Sequence, residues 1–207
     1  MKTIKNRGFK YLLGVLCIAL FSLAGYYFIS SPMEQTKEDT WADSGFLKIG
    51  RSLSIQNADN TLTLLDSKDV LSASGLYYAT LTMGESEPYV NSDGETVDLY
   101  DVQLYFILSE HKNAAEAGND MTKWIDLGKK NYEVLTEEEI VCNGQSYLLI
   151  TYNCVSKDNP YDRGASAFGV YGSNTMCFEL TCRDKFEGDL KDMLISFLNN
   201  CAYGGQD

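Results

Sequence analysis

The chain has 207 residues, with 17 Lys and Arg against 29 Asp and Glu, a formal net charge of −12 and a single His. Residues 1–30 hold four basic side chains (Lys2, Lys5, Arg7, Lys10) and no acidic one, so the remainder carries a net of −16. An acidic body repels phosphate backbones and argues against nucleic acid as a partner. One His leaves no His-rich metal site and little room for a classical triad, and 44% apolar residues is the content of a folded domain.

Residues 1–10 form a basic head. The apolar run from Tyr11 to Ile29 is broken only by glycines, Ser22 and Cys17. As a helix it reaches ~28 Å, close to the ~30 Å hydrocarbon core. Tyr11 at one end and Tyr26 and Tyr27 at the other suit an aromatic belt, and the basic head fixes the N-terminus in the cytoplasm. The expectation is a signal anchor over 11–29, single-pass in the cell membrane, with the C-terminal domain extracytoplasmic. A cleaved signal peptide is the alternative: Ser22-Leu23-Ala24 is a small-residue site, and cleavage after Ala24 would give a secreted protein. Lipidation at Cys17 is the third option, but Val15-Leu16 before it is bulky. The body has no Asn-x-Ser/Thr sequon, which points to a bacterial source.

Residues 30–45 are polar and acidic and read as a stalk; residues 46–207 form the extracytoplasmic body. Leu53 to Gln56 and Thr61 to Leu65 are two short β runs around the turn-rich Asn57-Ala58-Asp59-Asn60. Leu76 to Met83 is a Tyr-, Thr- and Leu-rich strand. In Val97 to Leu108 the residues Tyr100, Val102, Leu104, Phe106 and Leu108 line one face, and the mixed other face makes it a central strand. Asn113 caps a helix through Gly128, closed by Lys129-Lys130. Strands follow over Tyr132 to Val141 and Ser146 to Val155, joined by the type I′ signal Asn143-Gly144. Residues 166–171 and 175–183 form another hairpin. Leu190, Met193, Leu194, Phe197, Leu198 and Cys201 make one continuous helical stripe, with Asp189 at its N-terminal turn.

The order is strands, helix, four antiparallel strands, helix. The fold class is therefore α+β: an antiparallel sheet of about six to eight strands with two main helices packed on it, preceded by one N-terminal transmembrane helix. The helices cover both faces or sit side by side on one. The closing pattern, Phe178-Glu179-Leu180-Thr181-Cys182 as last strand and then Leu190 to Leu198 with Ser196-Phe197, resembles the PsbP-like fold, named for the extrinsic subunit of photosystem II. That resemblance covers residues 60–200, is topological, and implies a non-catalytic accessory or binding module. The chain looks most like uncharacterised membrane-anchored extracytoplasmic proteins of Gram-positive bacteria.

Strand directions place two long loops, Glu85 to Thr96 and Ser156 to Ala165, at one end of the sheet. Both combine Tyr, Asn, carboxylates and Pro, and long loops often carry function. A binding rim of Tyr89, Asn91, Asp93, Tyr161, Asp162 and Arg163 is expected there. The competing reading is turn chemistry alone, since Asp93-Gly94 and Asn159-Pro160 are ordinary turn formers.

No catalytic motif is complete. Asn91-x-Asp93-Gly94 fails as an EF-hand loop because Tyr89 and Tyr100 would occupy ligand positions; a looser set of Asp93, Glu95 and Asp98 is the only cation alternative. Ser109-x-x-Lys112 lacks the partner motifs of penicillin-binding enzymes. His111 with a cysteine is a remaining dyad option. No metal and no cofactor are expected. The body cysteines, Cys142, Cys154, Cys177, Cys182 and Cys201, are odd in number, so at least one is unpaired. Cys177 to Cys201 is the expected bridge, although Cys177 faces away from Phe178 and Leu180; Cys154 to Cys182 requires neighbouring strands; all-free thiols are the alternative.

The expected function is a non-catalytic extracytoplasmic binding or accessory module, partnered by the membrane through residues 11–29 and by a basic envelope protein. A secreted or surface hydrolase with an atypical site and a self-associating structural surface protein are the alternatives.

Overall fold

The computed structural model describes residues 46–49, 53–56, 63–71, 75–91, 93–155 and 159–203. The basic head, the 11–29 segment, the stalk and the Asn57–Asn60 turn lie outside the described residues. Among the described residues no helix is long and apolar enough to cross a membrane. The chain divides into two compact units, with Tyr89–Val97 in the smaller and Lys37–Pro88 and Asp98–Asp207 making the larger.

The described strands are β1 (Phe46–Ile49), β2 (Leu53–Gln56), β3 (Thr63–Leu71), β4 (Leu76–Val90), β5 (Thr96–Glu110), β6 (Tyr132–Cys142), β7 (Gln145–Cys154), β8 (Arg163–Tyr171), β9 (Asn174–Cys182) and β10 (Cys201–Tyr203). The described helices are α1 (Ala114–Asn131) and α2 (Leu190–Asn199). Seven strands form one antiparallel sheet in the order β3-β4-β5-β9-β8-β7-β6, and three form a second, β1-β2-β10. The α+β class, the antiparallel sheet and the two packed helices are as the sequence predicts.

Local chemistry sets the main elements. Asn113 caps α1 by accepting from the Glu116 amide at 3.0 Å, and Lys129 and Lys130 close its last turn. Asp189 caps α2 through the Asp192 amide at 3.1 Å. Asn143 and Gly144 take φ of 47° and 78°, the left-handed pair that a two-residue hairpin demands, and they turn β6 into β7. Strand β5 lies between β4 and β9, as its two-sided pattern requires.

The helices lie on opposite faces of the large sheet. Leu190, Leu194, Phe197 and Leu198 of α2 pack with Leu104, Phe106, Leu149, Phe178 and Leu180 in the main core. Ile125 of α1 packs with Ile150, Tyr152 and Phe168, which alternate with Leu149 on β7 and Ala167 on β8. Strand β6 is tied to both helices by adjacent glutamates: Glu137 meets Lys129 of α1 and Glu138 meets Lys191 of α2, each at 2.6 Å. Small residues on β8 let cross-strand rings fold over it. A Cβ on Gly164 would sit 2.5 Å from the ring of Tyr152, its register partner on β7.

Three expectations are corrected. The second short run, expected over Thr61 to Leu65, is the longer strand β3 (Thr63–Leu71); it joins the large sheet beside β4, while β2 pairs with β1 and β10. The stretch Glu85 to Val90 is not loop but the outer part of β4, and β5 already begins at Thr96. Cys201 does not extend the α2 stripe. The helix ends at Asn199, and Cys201 starts β10, paired with Ile55.

Candidate functional site

The turn of the smaller unit is built on one side chain. Asn91 is buried, and its Oδ1 accepts from the amides of Asp93 at 3.1 Å and Glu95 at 2.8 Å. Its backbone closes the same loop: the Asn91 amide donates to the Glu95 carbonyl at 2.9 Å, and the Gly94 amide donates to the Asn91 carbonyl at 3.0 Å. Its Nδ2 reaches Glu95 Oε2 at 3.4 Å. Gly94 holds φ +81°, a conformation other residues rarely take. Around this frame Asp93 and Glu95 are exposed, Val90 is 61% exposed and Tyr89 is half-buried. Asn91 is thus the organiser of the turn, and Val90, Asp93 and Glu95 are what it displays.

Tyr161, Asp162 and Arg163 belong to the larger unit, where they knit strand ends. Tyr161 is buried and donates from its hydroxyl to Gln103 Oε1 at 3.0 Å; burial, with Asp101 nearby, pushes that hydroxyl well above its usual range. Asp162 ties β7 to β9: its carbonyl accepts from the Cys154 amide at 2.8 Å, and its amide donates to the Cys182 carbonyl at 3.0 Å. Its carboxylate is exposed and accepts from the Asp184 amide at 2.7 Å. Arg163 donates from Nη2 to the carbonyls of Phe186 and Gly188. Nearby, Arg183 pairs with Glu87, and Lys185 meets Asp101 at 2.6 Å. The Lys185 hydrogen bond holds the Asp101 carboxyl below its usual range.

The residues considered for catalysis are placed as follows. Ser109 lies within β5, paired with Thr175, and Lys112 is exposed before α1. His111 Nε2 is 3.4 Å from Asp120 Oδ2. Among the described residues no group of three or more His, Cys, Asp or Glu is arranged to hold a metal ion.

The expected Cys177–Cys201 bridge is absent, and all five body cysteines are free thiols. Cys177 packs beside the α1 cluster, whereas Cys201 is buried in the α2 cluster on the opposite side of the sheet. Strand parity therefore outweighs the return of the last helix toward the start of β9. Cys154 and Cys182 likewise sit on opposite faces, with β8 between their strands.

One cluster escaped the sequence reading. Ile150, Ser166 and Glu179 are register partners across β7, β8 and β9 and so share the α1 face. Glu179 Oε1 accepts from the hydroxyls of Tyr132 at 2.5 Å and Tyr152 at 2.8 Å, and Ser166 Oγ donates to the Tyr152 oxygen at 3.2 Å. The two rings stack with centroids 3.8 Å apart. Burial, then the adjacent carboxylate, pushes both phenols well above their usual range. The arrangement locks a carboxylate between α1 and the sheet, where each partner satisfies the others. Parity in Phe178-Glu179-Leu180 is the signal that could have found it, since a lone carboxylate between two core residues must face the other side.

No family model matches the chain, and no curated protein matches it. Among solved structures it is similar to the solution structure of cyanobacterial PsbP (CyanoP) from Synechocystis sp. PCC 6803. The identity is 15% and the TM-score 0.38, with 68% of this chain and 99% of that chain covered.

Proposed function

We propose that the chain is a non-catalytic binding or accessory module, held in the cell membrane by residues 11–29 with its body outside the cytoplasm, and that it docks a basic envelope protein. The observation that supports this reading is the Tyr89–Val97 turn. Its internal hydrogen bonds converge on Asn91, so it is rigid before any partner arrives, and rigidity lowers the entropic cost of binding. It displays an apolar side chain, Val90, and two carboxylates, Asp93 and Glu95, on the same short segment. An exposed apolar side chain with polar neighbours is the pattern of an interface patch, and carboxylates favour Lys or Arg on the partner.

The test is chemical crosslinking of the anchored, full-length protein in intact cells, followed by capture. The reading expects a basic protein that is retained by the parent chain, released in high salt and lost from the Tyr89→Ala and Asp93→Lys variants. Identical captured partners in parent and variants would overturn it.

A further inference from the structure

The five body cysteines sort by face and by end of the large sheet. Cys154 and Cys177 share the α1 face. The register links Asn153 to Arg163 and Arg163 to Cys182, while Cys177 pairs with Phe168. Cys154 and Cys177 therefore lie five to six residues apart along the strands, roughly 17–20 Å at the rise of a β-strand. That is far beyond the ~7 Å limit for the Cα atoms of a disulfide. On the other face, Cys142, Cys182 and Cys201 share the main core, but Cys182 sits at the end of β9 next to Arg183, away from the β6–β7 turn. Only Cys142 and Cys201 have both face and end in common.

Those two are also clamped together by their neighbours. Asn143, the residue after Cys142, donates from Nδ2 to the carbonyl of Cys201 itself at 2.6 Å, and from its amide to Asn199 Oδ1 at 3.2 Å. Both thiols are fully buried, and Cys142 lies close enough to Cys201 for its charge to disfavour ionisation there.

We infer that Cys142 and Cys201 are the disulfide-forming pair of this chain, and that their bond fastens α2 and β10 to the β6–β7 turn. The oxidant is a disulfide, either a small one or the active-site disulfide of a thiol oxidoreductase. One cysteine thiolate attacks it, forms a mixed disulfide and expels the first thiolate. The second cysteine attacks the protein-side sulfur, closing the Sγ–Sγ bond and expelling the second thiolate. The two thiol protons pass to the two expelled thiolates, and the oxidant gains both electrons. This goes beyond the proposed docking role and does not depend on it.

The test uses the full chain incubated with glutathione disulfide in urea just below its unfolding transition, so that both buried thiols are sampled. The sample is then blocked with N-ethylmaleimide, digested and read by mass spectrometry. The expected result is a peptide pair linked through Cys142 and Cys201, with Cys154, Cys177 and Cys182 alkylated. Closing a loop of about 60 residues should also make the Tm of the oxidised chain about 5–10 °C higher than after dithiothreitol. Both effects should vanish in Cys142→Ala and in Cys201→Ala. Alkylation of both cysteines in the parent chain, or a linkage between any other pair, would overturn the inference.

Discussion

The large sheet and the Tyr89–Val97 turn are held together by different physics. In the sheet, stability comes from area: Leu104, Phe106 and Phe178 are almost wholly removed from water, and α2 closes over them with Leu198. In the turn, a single amide side chain satisfies the backbone, and Val90, Asp93, Gly94, Glu95 and Thr96 face solvent. A substitution in the sheet should therefore cost stability, and one in the displayed part of the turn should cost almost none. A surface that can change without unfolding the protein is free to be shaped for a partner.

The largest effect is expected at Phe178, which is buried between Phe106, at 4.5 Å between ring centroids, and Phe197. Phe178→Ala should lower the free energy of unfolding by about 3–5 kcal/mol in urea denaturation. A loss below about 1 kcal/mol would deny that this face is the main core. On the other face, Glu179→Ala leaves the Tyr132 and Tyr152 hydroxyls without their shared acceptor, and a loss of about 1–3 kcal/mol is expected. Tyr132→Phe removes a donor and leaves no orphan, so it should cost less than Glu179→Ala. Equal losses would show that the network is not cooperative.

An alkaline titration sharpens the contrast. Burial, with Glu179 and Asp162 beside it, pushes the Cys154 thiol up to about 12, and burial pushes Cys182 up to about 11, from an ordinary 9.0. Above pH 9 the unfolded chain binds fewer protons than the folded one, so unfolding becomes easier as pH rises. The thiol contribution is fully present below pH 9 and is lost progressively toward pH 11 to 12. Cys182→Ala should flatten the first part of that decline, as read by thermal melts at stepped pH. A decline unchanged in both Cys182→Ala and Cys154→Ala would assign it to other groups.

The smallest effects belong to exposed charges. Lys129→Ala, which removes the α1 tie to Glu137, should cost no more than about 1 kcal/mol. Asp93→Asn in the turn should stay within about 0.5 kcal/mol of the parent.

Much of this division was legible in the sequence. The apolar stripe of α2, the two-sided pattern of β5, the Asn113 cap and the Asn143-Gly144 hairpin are local signals, and each marks its element. The misreadings share a non-local cause. Cys201 continues the spacing of α2, and only its pairing with Ile55, far off in sequence, makes it a strand. Glu85 to Val90 has the composition of a loop, yet it extends β4 because β5 offers a partner strand of equal length. At the candidate site, Asn91 and Asp93 were identified by residue type, but type does not reveal burial. Tyr161 was expected on a rim and is instead buried, donating to Gln103, while Asn91 works inward on its own backbone. The Tyr132–Glu179–Tyr152 network joins three strands of the meander, and no single segment encodes it.

The proposed docking role of the Tyr89–Val97 turn is tested most directly by reversing one displayed charge. Asp93→Lys in the full-length chain should keep the parent Tm within about 2 °C while abolishing salt-sensitive capture of the proposed basic partner. Undiminished capture at an unchanged Tm would contradict the account.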